Sequence, residues 1–434
     1  MGFPALFLSI YFYDHIPAMT HYSPFLNNIS DHLEHHILPF WMNKTIDATN
    51  GGFIGALDNQ TRQIPSEKTG ILNTRLLWTF AASYRVMGNP DYLQIAGRAY
   101  QEIINRFIDP EHSGIFWSLN ENGSVHDDRK HIYTQAFAIY GLSEYYLASN
   151  DPQALTQARK IYNLIESNAF QNDGTGYHEA FSRDWQPLSD TRLGDNDIEA
   201  DRTFNTHLHL LEAYTNLYRA WPDPTLHTRL RDLVDIHFDR MYHPDRKHIL
   251  SYFDANLKPV SELYSYGHDI EAAWLIYDAV ADLNDPERMS RCKQILFDIA
   301  DQTLLEGCDS RHGGIFDTGK LGHPFNTHKQ WWAQSEALTG FMYAWLLSDN
   351  QQYADITEQI WDFIDKHVID HEFGEWYFLV DETGKPFTEE QKAGPWKCPY
   401  HTARTGLFFY ALTHGIHQNT PFSILTSLTQ QSAD

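Results

Sequence analysis

The chain has 434 residues, of which 57 are acidic and 32 basic, a formal net charge of −25. That field repels phosphate backbones and argues against nucleic acid as a partner; no Lys/Arg cluster or glycine-rich phosphate loop welcomes an anion, so a neutral ligand fits best. Aromatic residues make up 14%, with 12 Trp and 24 Tyr, a supply of flat rings that suits core packing and a sugar-binding cleft alike.

Residues 2–13 (GFPALFLSIYFY) are apolar, yet the first Lys or Arg is Lys44. A secretory signal wants a positive start and a small-residue cleavage site, and a membrane span wants about 20 apolar residues. Neither pattern is met. Residues 1–20 are therefore set apart as an N-terminal extension without an assigned role, Met19 being an alternative start. HLEHH follows at 32–36, with His32 and His36 at metal-compatible spacing. No third ligand is evident, so a solvated helix face is expected.

From here a repeat organises the chain. NGGFIGALD near 50, HSGIFWSLNENG near 113, GTGYHEAF near 174, HILSYFDANLKP near 248, HGGIFDTGK near 312 and FGEWYFLVDETGKP near 373 read as short hairpins. Their spacing of roughly 60–75 residues asks for a repeat architecture. Two helices lie between successive hairpins, for example 71–88 with 90–108 and 205–221 with 222–242. Asp/Asn-Pro junctions near 89, 151, 223 and 285 start the second helix of a pair with proline at its first position. Tight turns between long helices make antiparallel neighbours. These signals predict an all-α fold: an (α/α)6 barrel of about twelve helices, six inner and six outer, with short β-hairpins in the connecting loops. The barrel is expected over residues 21–420 as a single catalytic domain, with 421–434 as a C-terminal tail. GHDIEAAWLIYDAV and HTARTGLFFYALTHG, apolar nearly all round, favour closure over an open solenoid.

Cysteine occurs only as Cys292, Cys308 and Cys398. The count is odd and no CxxC spacing occurs, so neither a disulfide framework nor a zinc site is indicated, and a reducing cytoplasm is the expected compartment. A closed barrel has no obligatory partner, so a monomer or weak homo-oligomer is expected.

Three helix starts carry a histidine in a polar, aromatic setting: NTHLH at 205–209, SYGHDIE at 265–271 and CPYHTAR at 398–404. Imidazole takes and returns a proton near neutral pH without much tuning. Asn205, Glu271 and Arg404 are possible orienting or charge-stabilising partners. Glu271 lies three residues after His268, Glu336 four after Trp332, and Asn205 four before His209, spacings that share a helix face. His207 points elsewhere, so HLH is not read as a chelating pair. If the first helices of all pairs begin at one rim, His209, His268 and His401 converge with Arg75 and with Trp331 or Trp332. Arg75 is free for chemistry unless an acid inside the ring claims it, and Cys398 reads as a small filler.

KTGILNTRLLWTFAASYR, YTQAFAIYGLSEYY, NTHLHLLEAYTNLYRAW, GHDIEAAWLIYDA, HKQWWAQSEALTGF and WKCPYHTARTGL resemble, in order, the motifs of cellobiose 2-epimerases in the N-acylglucosamine 2-epimerase superfamily. The similarity spans roughly residues 24–415 and implies the same barrel. It further implies His268 and His401 as the acid/base pair, Arg75 and His209 at the oxygens of an enediolate, and Tyr133 and Asn205 on the sugar. Glu271 and Glu336 would orient the two working histidines, and Trp274, Trp332 and Trp396 would form walls and stacking platforms. The implied reaction interconverts the reducing-end glucose and mannose of β-1,4-linked disaccharides, cellobiose or lactose, and needs no redox cofactor or metal. Competing readings are a monosaccharide enzyme (a mannose isomerase, or a mannose or N-acylglucosamine 2-epimerase), an inverting glycoside hydrolase using Glu271, Glu336 or Asp201, and a non-catalytic sugar-binding protein.

Overall fold

Helices that are apolar on every side have to be covered on every side, and two concentric rings meet that demand. The computed structural model describes residues 19–194 and 197–431. The chain opens with α1 (Met19–His32) and α2 (Leu38–Lys44), then α3 (Gly70–Met87), α4 (Pro90–Glu102), α5 (Ile132–Ser149) and α6 (Pro152–Asn168). It continues with α7 (Phe204–Ala220), α8 (Pro224–Ile236), α9 (Tyr266–Leu283) and α10 (Pro286–Gln302). The last are α11 (Trp331–Ser348), α12 (Gln351–Phe363), α13 (Tyr400–Thr413) and a short α14 (Ser423–Gln431). Helices α3, α5, α7, α9, α11 and α13 form the inner ring. Each packs on the next, and α13 returns to α3, which closes the barrel.

The closure departs in one respect from six successive pairs. Five pairs are consecutive in sequence, but α13 is the last inner helix and has no outer helix after it; α1, from the other end of the chain, covers it. Below the ring α14 packs on α9, and Phe422 meets Phe408 and Trp274 at ring-centroid separations of 5.3 and 6.4 Å. The proposed extension lies, up to residue 18, outside the described residues, as do residues 432–434 of the tail.

Local chemistry sets the element boundaries. The side chains of Asn89, Asp151, Asp223 and Asp285 accept the free N–H groups at the starts of α4, α6, α8 and α10, each with proline at the first helical position. A π-helical turn was not foreseen at the ends of outer helices, but it follows α1, α4, α8, α10 and α12.

The six hairpins close through one recurrent bridge, seven residues apart: Ile46–Phe53, Ile108–Ile115, Phe170–Tyr177, Tyr242–Ile249, Cys308–Ile315 and Ile369–Trp376. Four begin with an aspartate whose Oδ1 accepts backbone N–H groups in its own turn. Each of those aspartates also meets a buried lysine, Asp47–Lys68, Asp109–Lys130, Asp309–Lys329 and Asp370–Lys392, at 2.8, 3.1, 2.8 and 2.5 Å. Three of these lysines stand just before an inner helix, so the pair fixes hairpin to helix start. A side chain in the first turn of the inner helix completes the joint. Gln135 and Gln334 each exchange two hydrogen bonds with the backbone of Ile115 and Ile315. The preceding Gly114 and Gly314 have φ of +69° and +72°, and a Cβ on either would come within 2.9 and 2.7 Å of that amide oxygen.

Removing one partner of a buried ion pair commonly costs about 3–5 kcal/mol. Lys329→Met, which leaves Asp309 buried without its cation, is expected to lower the urea-denaturation midpoint, with a loss of unfolding free energy in that range. An unchanged midpoint would take the pair out of the fold's support.

Candidate active site

Because every inner helix starts at the same rim, residues in their first two turns are brought to the barrel axis. Arg75, Tyr133, Asn205, His209, His268, Trp332 and His401 line one cavity of about 310 Å³, and Trp396, from the loop before α13, closes one side. The three histidines borne by separate helix pairs therefore meet. Trp331 lines the same space with its ring against Phe378; its buried indole N–H has no partner among the described residues. A second hollow of about 210 Å³ adjoins the first and shares Leu193, Gly194 and Trp396 with it.

The histidines are held by different means. Trp332 lies beside two of them, 4.6 Å from His268 and 5.5 Å from His401 between ring centroids, and its N–H donates to Gln330. His401 Nδ1 is 2.7 Å from Glu336 Oε1, and His209 Nδ1 is 2.9 Å from Glu212 Oε2. Beneath them Arg404 donates to Glu212, Glu271 and Glu336, one carboxylate from each of α7, α9 and α11. Trp274 donates its N–H to the other oxygen of Glu336 at 3.1 Å.

Two expected placements are corrected by this arrangement. Glu271 shares a helix with His268 but turns to Arg404 and comes no nearer a histidine than 3.8 Å, from His401 Nδ1; a shared face does not fix which neighbour across the ring a side chain meets. Trp274, expected as a wall for the sugar, lies one helical turn farther from the rim, buried behind Glu336, and borders the space beneath Arg404. Glu212 was not foreseen, although His209 and Glu212 repeat the three-residue spacing of His268 with Glu271 and of His401 with Arg404. Asp201 is exposed and lines neither hollow.

Other histidines resolve into structural groups. His207 Nε2 accepts the backbone N–H of Tyr177 and its Nδ1 faces Thr203 O, the joint that Gln135 and Gln334 make in sister repeats. His32 Nε2 accepts from the Trp376 indole, and its ring stacks on exposed His36.

Burial dominates the site's proton affinities. It lowers His268 to about 3, helped by nearby His209 and Arg75, and His209 to about 4 against the pull of Glu212. Burial, with Arg75 and Arg404, holds His401 well down. Three carboxylates around one guanidinium leave an excess of negative charge that a dry interior does not tolerate. Burial and the neighbouring Glu336 push Glu271 well up, and burial raises Glu336 despite Arg404. Burial opposes ionisation of Glu212 too, but Arg404 and His209 outweigh it and lower it to about 2. Donor atoms of Glu271, Glu336 and His401 lie within 4.8 Å of one another, a spacing compatible with a metal ion; the Arg404 guanidinium already occupies the cation's place between the two carboxylates.

Arg75 differs. It donates to the Tyr133 hydroxyl at 2.7 Å and lies 4.2 Å from the centre of the Phe137 ring and 4.9 Å from that of Tyr400. No ion pair joins it to a carboxylate among the described residues.

Residues 52–405 match the sequence profile of the N-acylglucosamine 2-epimerase family. The chain belongs to this family. The cellobiose 2-epimerase of Bacteroides fragilis is 38% identical over 369 residues, covering 85% of this chain and 94% of that protein. The solved structure of cellobiose 2-epimerase from Bacillus thermoamylovorans superimposes with a TM-score of 0.84 at 38% identity, covering 90% of this chain and all of the other. A D-mannose isomerase crystal structure superimposes at 0.78 with 21% identity, a likeness of fold alone. The two-ring helical barrel is thus the (α/α)6 barrel of this family.

Burial lowers His207 to about 3. A histidine whose folded pKa lies below its unfolded value of about 6.5 binds a proton only on unfolding, so it costs stability as pH falls below 6.5. His207→Gln, copying Gln135 and Gln334, should match the wild type at pH 7.5. At about pH 5 it should gain on it by roughly 2 kcal/mol, read from urea midpoints at both values; a constant difference would mean His207 is not held neutral.

Proposed function

We propose that this protein is a disaccharide 2-epimerase that inverts carbon 2 of the reducing-end sugar, interconverting cellobiose with glucosyl-mannose and lactose with epilactose. The meeting of three imidazoles and an unneutralised guanidinium in one cavity is the observation that carries this reading. Inversion needs the sugar ring opened, the proton on carbon 2 removed next to the carbonyl, and a proton returned to the opposite face. Two imidazoles can trade the roles of acid and base, and His268 and His401, both beside Trp332, are the pair assigned here. Glu336 holds His401 by Nδ1, which directs Nε2 to the substrate. The cis-enediolate carries charge on oxygens 1 and 2, and Arg75 supplies a fixed donor for it. Tyr133 and Asn205 take sugar hydroxyls, and Trp332 and Trp396 give the rings flat walls.

The adjoining hollow behind Trp396 favours a disaccharide, since it offers room for a second ring beside the one that reacts. The hydrolase alternative loses its equipment: Glu271 and Glu336 lie beneath the cavity, bound to Arg404, and Asp201 is outside it. Among the described residues no helix is long and apolar enough to cross a membrane. A reducing compartment, the cytoplasm, suits the three free cysteines, and a neutral sugar suits the acidic chain.

Proton NMR of cellobiose incubated with the protein in heavy water should show loss of the carbon-2 proton of the reducing end together with mannose-type signals. His401→Asn should reduce that exchange by about 100- to 10,000-fold while binding persists. No deuterium uptake by cellobiose, lactose, mannose or N-acetylglucosamine would end the enzyme reading, and uptake by the free monosaccharides alone would end the disaccharide one.

Trp274→Phe keeps an aromatic ring, though a smaller one, and removes the N–H that Glu336 accepts. It should lower kcat by about tenfold with little change in KM, whereas loss of the Trp332 or Trp396 ring should raise KM. A KM defect in Trp274→Phe would return that residue to the substrate wall.

A further inference from the structure

His209 and Glu212 are joined more specifically than a shared helix face requires. The ring Nδ1 and carboxylate Oε2 are 2.9 Å apart and both side chains are buried. The other oxygen, Oε1, accepts from the Tyr400 hydroxyl and from the Arg404 guanidinium. A carboxylate with two such donors stays ionised. An ionised carboxylate can only accept, so the hydrogen between it and the ring belongs to Nδ1. A neutral imidazole has one such hydrogen, which leaves Nε2 as a bare lone pair. His209 lines the cavity with its Nδ1 edge turned to Glu212, so Nε2 is the nitrogen available to a sugar.

That state does not suit a residue whose task is to donate to an enediolate oxygen, because an unprotonated Nε2 cannot donate. We infer that Glu212 is a positioning residue that holds His209 as the Nδ1–H tautomer, so that His209 meets the sugar as a proton acceptor at a hydroxyl rather than as an oxyanion donor. This rests on the epimerase reading above. In ring opening the step balances as follows: the anomeric O–H bond breaks and Nε2–H forms. The O–H electron pair closes the carbonyl of carbon 1. The bond from carbon 1 to the ring oxygen breaks, and that oxygen keeps the pair and takes the proton from the Nε2–H so formed, which returns His209 to its neutral form. Burial keeps His209 neutral between turnovers, lowering it to about 4, which readies it to accept. Arg75 then stands as the donor for the enediolate by itself, and His209 moves a proton that Arg75 cannot.

Nitrogen NMR of the wild-type protein labelled with ¹⁵N-histidine, with His209 assigned by its loss in His209→Asn, reads the tautomer directly. At pH 7.5 the expected state is a proton-bearing Nδ1 and a proton-free Nε2; a hydrogen on Nε2, or an imidazolium, overturns the assignment. In Glu212→Gln the side-chain amide can donate to Nδ1 and push the hydrogen to Nε2. Deuterium uptake at carbon 2 of cellobiose should then fall on the order of 100-fold with KM within about threefold, and Glu212→Asp should recover part of it. Uptake within threefold of wild type in a folded Glu212→Gln protein also overturns the proposal. A wild type that exchanges no deuterium would defeat the epimerase reading, while the tautomer measurement still decides the role of Glu212.

Discussion

The Arg404 guanidinium lies in a dry interior between carboxylates from α7, α9 and α11, and the geometry of the cavity above it follows from how that single positive charge is shared. Four of the six inner helices meet at this residue when its own α13 is counted. Two of the three carboxylates also hold a histidine by Nδ1. Buried ion clusters of this kind are weak sources of stability, because desolvation cancels much of the Coulomb gain. Their effect here is registry: a helix that slipped along its axis would leave a carboxylate unpaired in a medium that penalises it heavily. The cluster thus couples the closure of the ring to the aim of the imidazoles.

His207 and His209, separated on α7 by the fully buried Leu208, show how the barrel divides scaffold from cavity. His207 looks outward into its hairpin and occupies the position held by Gln135 and Gln334 in other repeats, where any side chain that accepts a backbone N–H serves. His209 faces the axis and lines the cavity. Each turn of an inner helix offers both environments, so a repeat can keep its joint to the hairpin while its axial residues differ freely. Arginine, tyrosine, tryptophan and three histidines then occupy comparable axial places without disturbing the rim.

Much of this was legible in the sequence because it is periodic. The hairpin strings, the Asp/Asn-Pro junctions and helices without a polar face prescribe paired helices in a closed ring, and the ring brings Arg75, His209, His268 and His401 together. Contacts across the ring were not legible. Spacing on one helix puts Glu271 on the face of His268, but whether it turns to that histidine or to Arg404 depends on the neighbouring helix, whose axial offset no local pattern records. Trp274 failed for the same reason: one turn of helix separates a wall of the cavity from a support behind it. The spacing of His209 and Glu212 is present in the sequence, but Asn205 stands on the same face, and helical spacing alone does not choose between them. The covering of α13 by α1 joins the two ends of the chain, a pairing that no repeat interval signals.

The two buried guanidiniums near Tyr400 complete the physical account. Arg404 and Arg75 lie 4.3 and 4.9 Å from the centre of that ring, so they share a neighbourhood, yet their surroundings are opposite. Three carboxylates surround Arg404, and its field is spent within the cluster. Arg75 is cradled by Phe137, Tyr133 and Tyr400, which present ring faces and a hydroxyl but no formal negative charge. An unneutralised charge in a low-dielectric wall acts strongly on whatever anion forms beside it. In the proposed epimerisation, imidazoles made weakly basic by burial would be poor at drawing a proton from carbon by themselves, and the reaction would depend on lowering the energy of the enediolate that results. Holding one arginine bare while neutralising the other is the arrangement that such stabilisation would require.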